Sequence, residues 1–148
     1  ELSRIMLAIK TVMADADEIE SLIFDEIDSG ISGRTAQMVA EKMNVLGRNH
    51  QIICITHLPQ IAAMADAHYL IHKSVENNAT HTNICKLNYD ASVSELARML
   101  GGVEITDAVV KNAQEMKELA LHPQKLKNVP YFRVLMDIHN KTTDHFFF

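Results

Sequence analysis

Two short apolar runs, separated by enough chain for one helix, constrain this sequence more than anything else in it. The first spans about Glu20 to Asp25, with Ser21-Leu22-Ile23-Phe24 running into adjacent carboxylates, Asp25-Glu26. The second, Gln51-Ile52-Ile53-Cys54-Ile55-Thr56, runs into His57. Apolar runs of this length bounded by turn residues read as buried strands, and nearly unbroken ones suit parallel strands covered on both faces. Between them Ala36, Val39, Ala40, Met43 and Leu46 recur at helical spacing, with Gly47 placed to cap the helix and Arg48-Asn49-His50 to make the turn. Strand, helix, strand with short connections is a βαβ unit, whose crossover is right-handed. Open α/β sheets bind ligands beyond the carboxyl ends of their strands. That edge is where this unit puts Asp25, Glu26 and His57.

The flanking segments extend the α/β pattern. Leu2, Ile5, Met6, Ile9, Val12 and Met13 follow one helical face, which predicts an amphipathic helix from 2 to about 14, packed on the sheet with its methionines as core filler. Pro59 suits the first turn of a short helix over 58–65. The pattern then changes: 67–73 and 81–87 read as strands joined by a polar loop over 74–80, an antiparallel hairpin. His68 and His72 alternate with apolar residues there and read as surface positions. Ser92-Val93-Ser94-Glu95 has the form of a capping box, opening a helix with Val93, Leu96, Ala97 and Leu100 on one face and Gly101-Gly102 at its end. Ile105, Val109, Ala113, Met116 and Ala120 mark a last helix running into His122-Pro123. Beyond it, Gln124 to Asn128 is polar, 131–138 is strand-like, and three of the five phenylalanines are the last three residues. That composition fits a tail outside the folded unit, with a docked strand as the alternative. The division is therefore 1–122 as the folded unit and 123–148 as an atypical tail.

Composition bounds the function classes. The 148 residues suffice for one domain with a core, and a formal net charge of −5 gives no basic footprint for nucleic acid. No apolar run approaches the roughly 20 residues that span a bilayer. Cys54 and Cys85 lie in apolar runs without metal-type or disulfide-framework spacing and read as buried free thiols of a reducing compartment. The chain opens on Glu1, without methionine, inside a helical pattern, and reads as a fragment.

The acid pair alone fits a solvated strand end as well as a metal site, and a lone histidine after a strand fits a turn. Together they suggest phosphoryl chemistry. Magnesium takes oxygen ligands and keeps several waters, so Asp25 can hold it indirectly. Side chains alternate along a strand, which leaves Glu26 free to orient an attacking water. His57, at the same sheet edge, can donate to a phosphate oxygen whose charge rises during transfer. The remaining histidines show no metal-ligand spacing.

Read in order, Glu1-Leu2-Ser3-Arg4, Leu22-Ile23-Phe24-Asp25-Glu26, Ser29-Gly30-Ile31-Ser32 and Ile55-Thr56-His57 resemble four consecutive features of an ABC-type ATPase head: the end of the signature motif, the Walker B strand, the D-loop and the H-loop. The wording of 24–36 and 55–66 is similar to that of the RecN family, SMC-like ATPases of bacterial double-strand-break repair, and the likeness runs from residue 1 to about 120. The resemblance implies a three-layer α/β fold: the C-terminal lobe of a P-loop NTPase head of ABC/SMC type, with a parallel βαβ core, an antiparallel hairpin and C-terminal helices. It also implies roles: Asp25 supports Mg²⁺ through water, Glu26 is the base that activates water, and His57 senses the γ-phosphate of ATP. Ser29, Gly30, Ile31 and Ser32 cross the interface between two heads, although the family often has aspartate where Ser32 stands. Glu1 and Arg4 are the signature remnant, and Ser3 is not the signature serine. The partners implied are an N-terminal P-loop half of the same protein, a second head in a homodimer, and DNA, in the bacterial cytoplasm at the nucleoid and with no membrane.

No G-x-x-x-x-G-K-[S/T] occurs in this sequence, so no residue here can be assigned to a phosphate-binding P-loop. The expectation is half a site, inactive alone, with an open sheet edge prone to self-association. Two other readings share the motifs: the ATPase subunit of an ABC transporter, and a non-catalytic head fragment that serves as an interaction module.

Overall fold

A computed structural model describes residues 2–13, 19–25, 27–76, 79–102, 104–121 and 132–137. In chain order the elements are α1 (Leu2–Met13), β1 (Ser21–Phe24), α2 (Gly33–Leu46), β2 (Gln51–Ile55), α3 (Pro59–Ala63), β3 (Ala67–Glu76), β4 (Ala79–Lys86), α4 (Tyr89–Gly101), α5 (Asp107–Leu121) and β5 (Phe132–Asp137). They form an α/β fold around one five-stranded sheet of order β1-β2-β5-β3-β4. β1 and β2 pair in parallel with Ser21 opposite Gln51 and Phe24 opposite Cys54, so the predicted βαβ unit is present. β3 and β4 form the predicted hairpin, but a longer one: pairing continues from Tyr69 opposite Lys86 to Glu76 opposite Ala79, which leaves only 77–78 between the strands.

The tail contributes to the sheet. β5 lies between β2 and β3 and is parallel to both, with Ile52 opposite Phe132 on one side and Ala67 opposite Arg133 on the other. Within the strand-like pattern at 131–138, residues 132–137 are thus a docked strand, the alternative rather than the favoured expectation. Residues 122–131 and 138–148 lie outside the described ones.

The core gathers where α2 and α3 meet the β1–β2 pair and the last two helices. Phe24, Ile27, Met43, Leu46, Ile52, Cys54, Ile61, Leu96, Ala97 and Ala113 are buried in one cluster. Helix contacts run in series, α1 with α2, α2 with α3, and α3 with both α4 and α5. Small residues permit this: Ala36, Ala40, Ala62, Ala97 and Ala113 have no exposed surface, which lets backbones approach closely.

Three packing expectations are corrected. The α1 face does not fill the core: Leu7 is buried, but Leu2 is 80% and Val12 87% exposed, with Ile5, Met6, Ile9 and Met13 also exposed. The principal contact of α1 is with α2 rather than with the sheet, so its apolar stripe is wider than the surface it meets. Nor is β1, expected as a buried strand, buried throughout. Phe24 is buried while Ile23 on the opposite face is exposed, so among the described residues β1 has one packed face and one bare one, and its outer edge pairs with no strand. Cys85 is exposed on the hairpin, whereas Cys54 is buried.

Local signals also moved. α4 begins at Tyr89 with Asn88 as its cap, the Asn88 Oδ1 accepting from Ala91 N at 2.9 Å. The Ser92 capping box does not form. Ser92 is buried with its hydroxyl 2.7 Å from His68 Nδ1, and Glu95 binds Arg98 through both carboxylate oxygens. The helix does stop where the glycines predict, Gly102 taking φ 63, a conformation that disfavours a side chain. His68 is buried rather than on the surface; burial, with Lys117 adding, lowers its pKa to about 4. His72 is exposed, as expected.

Candidate active site at the carboxyl edge of the parallel strands

Because β1 and β2 are parallel and in register, the residues that follow them emerge at the same edge. Asp25 follows β1 and is exposed. Glu26, predicted as the base, and Glu1, predicted as part of the signature remnant, lie outside the described residues. The chain then turns inward, burying Ile27 and Asp28 before residues 29–32 return to the surface. A turn closes the segment, Ile31 N donating to Asp28 O at 3.2 Å with Gly30 at φ 73. Positive φ at the third residue of a turn is the place where glycine is required. Ser29, Gly30, Ile31 and Ser32 thus form a surface loop directly beside the sheet edge. Arg4 reaches this loop from α1, its Nη1 donating to Ser29 O at 2.7 Å. Arg4 and Ser29, 25 residues apart in the chain, are therefore joined.

Thr56 and His57 meet the same loop from β2. Thr56 is buried, whereas the His57 side chain is 70% exposed. Both bind Asp28, which is only 2% exposed. The Asp28 Oδ2 accepts from Thr56 Oγ1 at 2.5 Å and from the His57 backbone N at 2.9 Å, and lies 3.0 Å from His57 Nδ1. Thr56 Oγ1 in turn accepts from Leu58 N at 3.1 Å, at the start of α3. Beneath them, burial pushes the Cys54 thiol well above its usual range, and the charges of Asp28 and Asp25 add to the effect. Cys54 is accordingly a protonated core residue.

The structure thus brings together Asp25, residues 29–32, Arg4 and His57. It also adds Asp28, which the motif reading passed over, and ties Thr56 to it. No local signal marks Asp28, because its partners lie 28 and 29 residues away. Among the described residues no group of three or more His, Cys, Asp or Glu could hold a metal ion.

The chain resembles known proteins over most of its length. It is 46% identical over 120 residues to the DNA repair protein RecN of Bacillus subtilis, covering 81% of this chain and 21% of the relative. RecN of Treponema pallidum is 47% identical over 116 residues, 78% of this chain and 20% of the relative. The chain is RecN-like. RecN of Haemophilus influenzae adds 44% identity over 119 residues, again 80% of this chain and 21% of the relative. The RecN-like chain therefore spans about a fifth of the length of the curated relatives it matches. No protein-family model matches it. Among the described residues, no helix is long and apolar enough to cross a membrane.

Proposed function

We propose that this RecN-like chain supplies the water-activating half of an ATP hydrolysis site in an SMC-like, ABC-type ATPase of DNA double-strand-break repair. The observation that carries the reading is the convergence of Asp25, the 27–32 loop and His57 at one sheet edge, in a chain similar to proteins named for DNA repair. The fold proposed is the C-terminal lobe of a P-loop NTPase head, and the bare face of β1 with its unpaired edge suits an N-terminal half that packs against it.

Asp25 would hold Mg²⁺ through water, and the ion would neutralise charge on the ATP phosphates. Glu26 would take the proton of the attacking water. His57, held from beneath and open above, would contact the γ-phosphate, where charge accumulates. Ser29, Gly30, Ile31 and Ser32 would face a second head, with Arg4 holding the loop in place through Ser29. A homodimer of complete heads would then enclose ATP, with DNA bound by the full-length protein, in the cytoplasm at the nucleoid. The transporter alternative gains nothing from the relatives above.

The test mixes this chain with a separately expressed N-terminal P-loop segment and follows magnesium-dependent release of phosphate from ATP. The chain alone is expected to be inactive and the mixture active, with Glu26→Gln lowering turnover by about 10²-fold or more. Turnover by the chain alone that survives Glu26→Gln would refute the assignment. Binding without turnover would leave the chain an interaction module.

A further inference from the structure

The contact between Asp28 and His57 determines which hydrogen the imidazole carries. An ionised carboxylate can only accept hydrogen bonds. Asp28 Oδ2 already accepts from the Thr56 hydroxyl and the His57 backbone N–H. The Thr56 hydrogen is committed to it, because Thr56 Oγ1 is itself the acceptor for Leu58 N. The ring nitrogen 3.0 Å away faces an acceptor-only oxygen, a contact that favours a hydrogen on Nδ1 over a lone pair. Free imidazole side chains favour the other arrangement, with hydrogen on Nε2.

We propose that Asp28 is the positioning residue for His57, holding the ring as the Nδ1–H tautomer and turning Nε2 toward the open side of the sheet edge. One carboxylate oxygen thus meets both the backbone N–H of His57, as a hydrogen bond at 2.9 Å, and its ring Nδ1, at 3.0 Å. This deepens the phosphate-site reading and, for the role of Nε2, rests on it. In the neutral ring Nε2 bears a lone pair and accepts. To donate to a phosphate oxygen the ring must carry both hydrogens, with the buried Asp28 as its counter-charge and Asp25 as the other carboxylate described at this edge. Contact with phosphate would then be charge-assisted, the stronger class of hydrogen bond. Asp28 itself touches no reacting atom in this arrangement. Its effect is exerted through His57.

Long-range ¹H–¹⁵N NMR of the imidazole nitrogens in the full chain, at a pH where the ring is neutral, reads the tautomer directly, with His57→Gln identifying the signals. The expected result is Nδ1–H as the major form in the unaltered chain. Asp28→Ala is expected to return the ring to mainly Nε2–H, and Thr56→Val, which keeps the carboxylate, to leave Nδ1–H dominant. Mainly Nε2–H in the unaltered chain overturns the proposal, as does Nδ1–H that persists in folded Asp28→Ala. Should Asp28→Ala not fold, the unaltered chain and Thr56→Val still decide. No nucleotide is present in this experiment, so failure of the phosphate-site reading would appear only in the ATP hydrolysis test.

Discussion

The buried carboxylate of Asp28 and the buried imidazole of His68 are each held by close polar contacts, yet the two clusters lead to different places. Asp28 binds Thr56 and His57, and through the His57 ring the cluster opens to solvent. The other cluster is closed. His68 meets Ser92 across the β3–α4 junction, and nearby Lys117 of α5 donates to the carbonyls of Ala63 at 3.2 Å and Ala65 at 2.9 Å, at the end of α3. His68, Ser92 and Lys117 are all buried. Polar groups cost free energy in an interior unless bonded, so both clusters must be satisfied. The closed one ties β3, α3, α4 and α5 together, while the open one uses a satisfied anchor beneath an exposed imidazole.

That contrast can be broken by experiment, and the largest expected effect is on acid stability. The folded-state pKa of His68 is lowered to about 4 from an ordinary 6.5. The unfolded chain therefore takes up a proton that the folded chain refuses between these values. Stability attributable to His68 is complete above pH 6.5 and falls as pH drops toward 4, by about 3 kcal/mol. Urea unfolding from pH 7.5 to 4 is expected to show this slope and His68→Gln to flatten it; equal slopes would remove His68 from the closed cluster's account. Next in size, Lys117→Met is expected to cost about 2 kcal/mol in urea unfolding, since two buried carbonyls lose a charged donor. A neutral result would mean that other partners satisfy the end of α3. The smallest effect belongs to the open cluster: His57→Ala is expected to change unfolding free energy by no more than about 0.5 kcal/mol, while abolishing any turnover restored by a P-loop partner. A large loss of stability would make His57 structural and erase the contrast.

Much of the α/β architecture was legible because it is written in short, continuous signals. The apolar runs at 21–24 and 51–55, the stripe from Ala36 to Leu46 and the glycines after α4 each act within a few residues. What could not be read depended on distant partners. Ser92 matches a capping pattern, but its hydroxyl is taken by His68, and Asn88 caps the helix instead. His68 alternates like an outward residue, yet a neutral imidazole with a hydroxyl partner tolerates the interior. Asp28 carries no local signal beside the more conspicuous Asp25-Glu26, though its hydrogen bonds to Thr56 and the His57 backbone join the two strand ends. Asp25 and His57 were legible because strand ends of a parallel pair must share an edge. The stripe of α1 is apolar as its spacing predicts yet exposed, since hydrophobicity specifies a need for cover without naming what supplies it.

The place of β5 bears on how the chain assembles in time. β1 and β2 on one side and β3 and β4 on the other are local pairings that can form early, but no strand of the first pair touches one of the second. They are joined through 132–137, the last described strand in the chain. A sheet whose central member arrives after both flanks must close long loops before that strand is held by its neighbours, which slows folding and prolongs exposure of unpaired strand edges. Two separately formed half-sheets awaiting one strand are also open to receiving it from another molecule, the route by which neighbouring copies exchange elements. The order of the sheet therefore sets a kinetic hazard that the finished fold conceals.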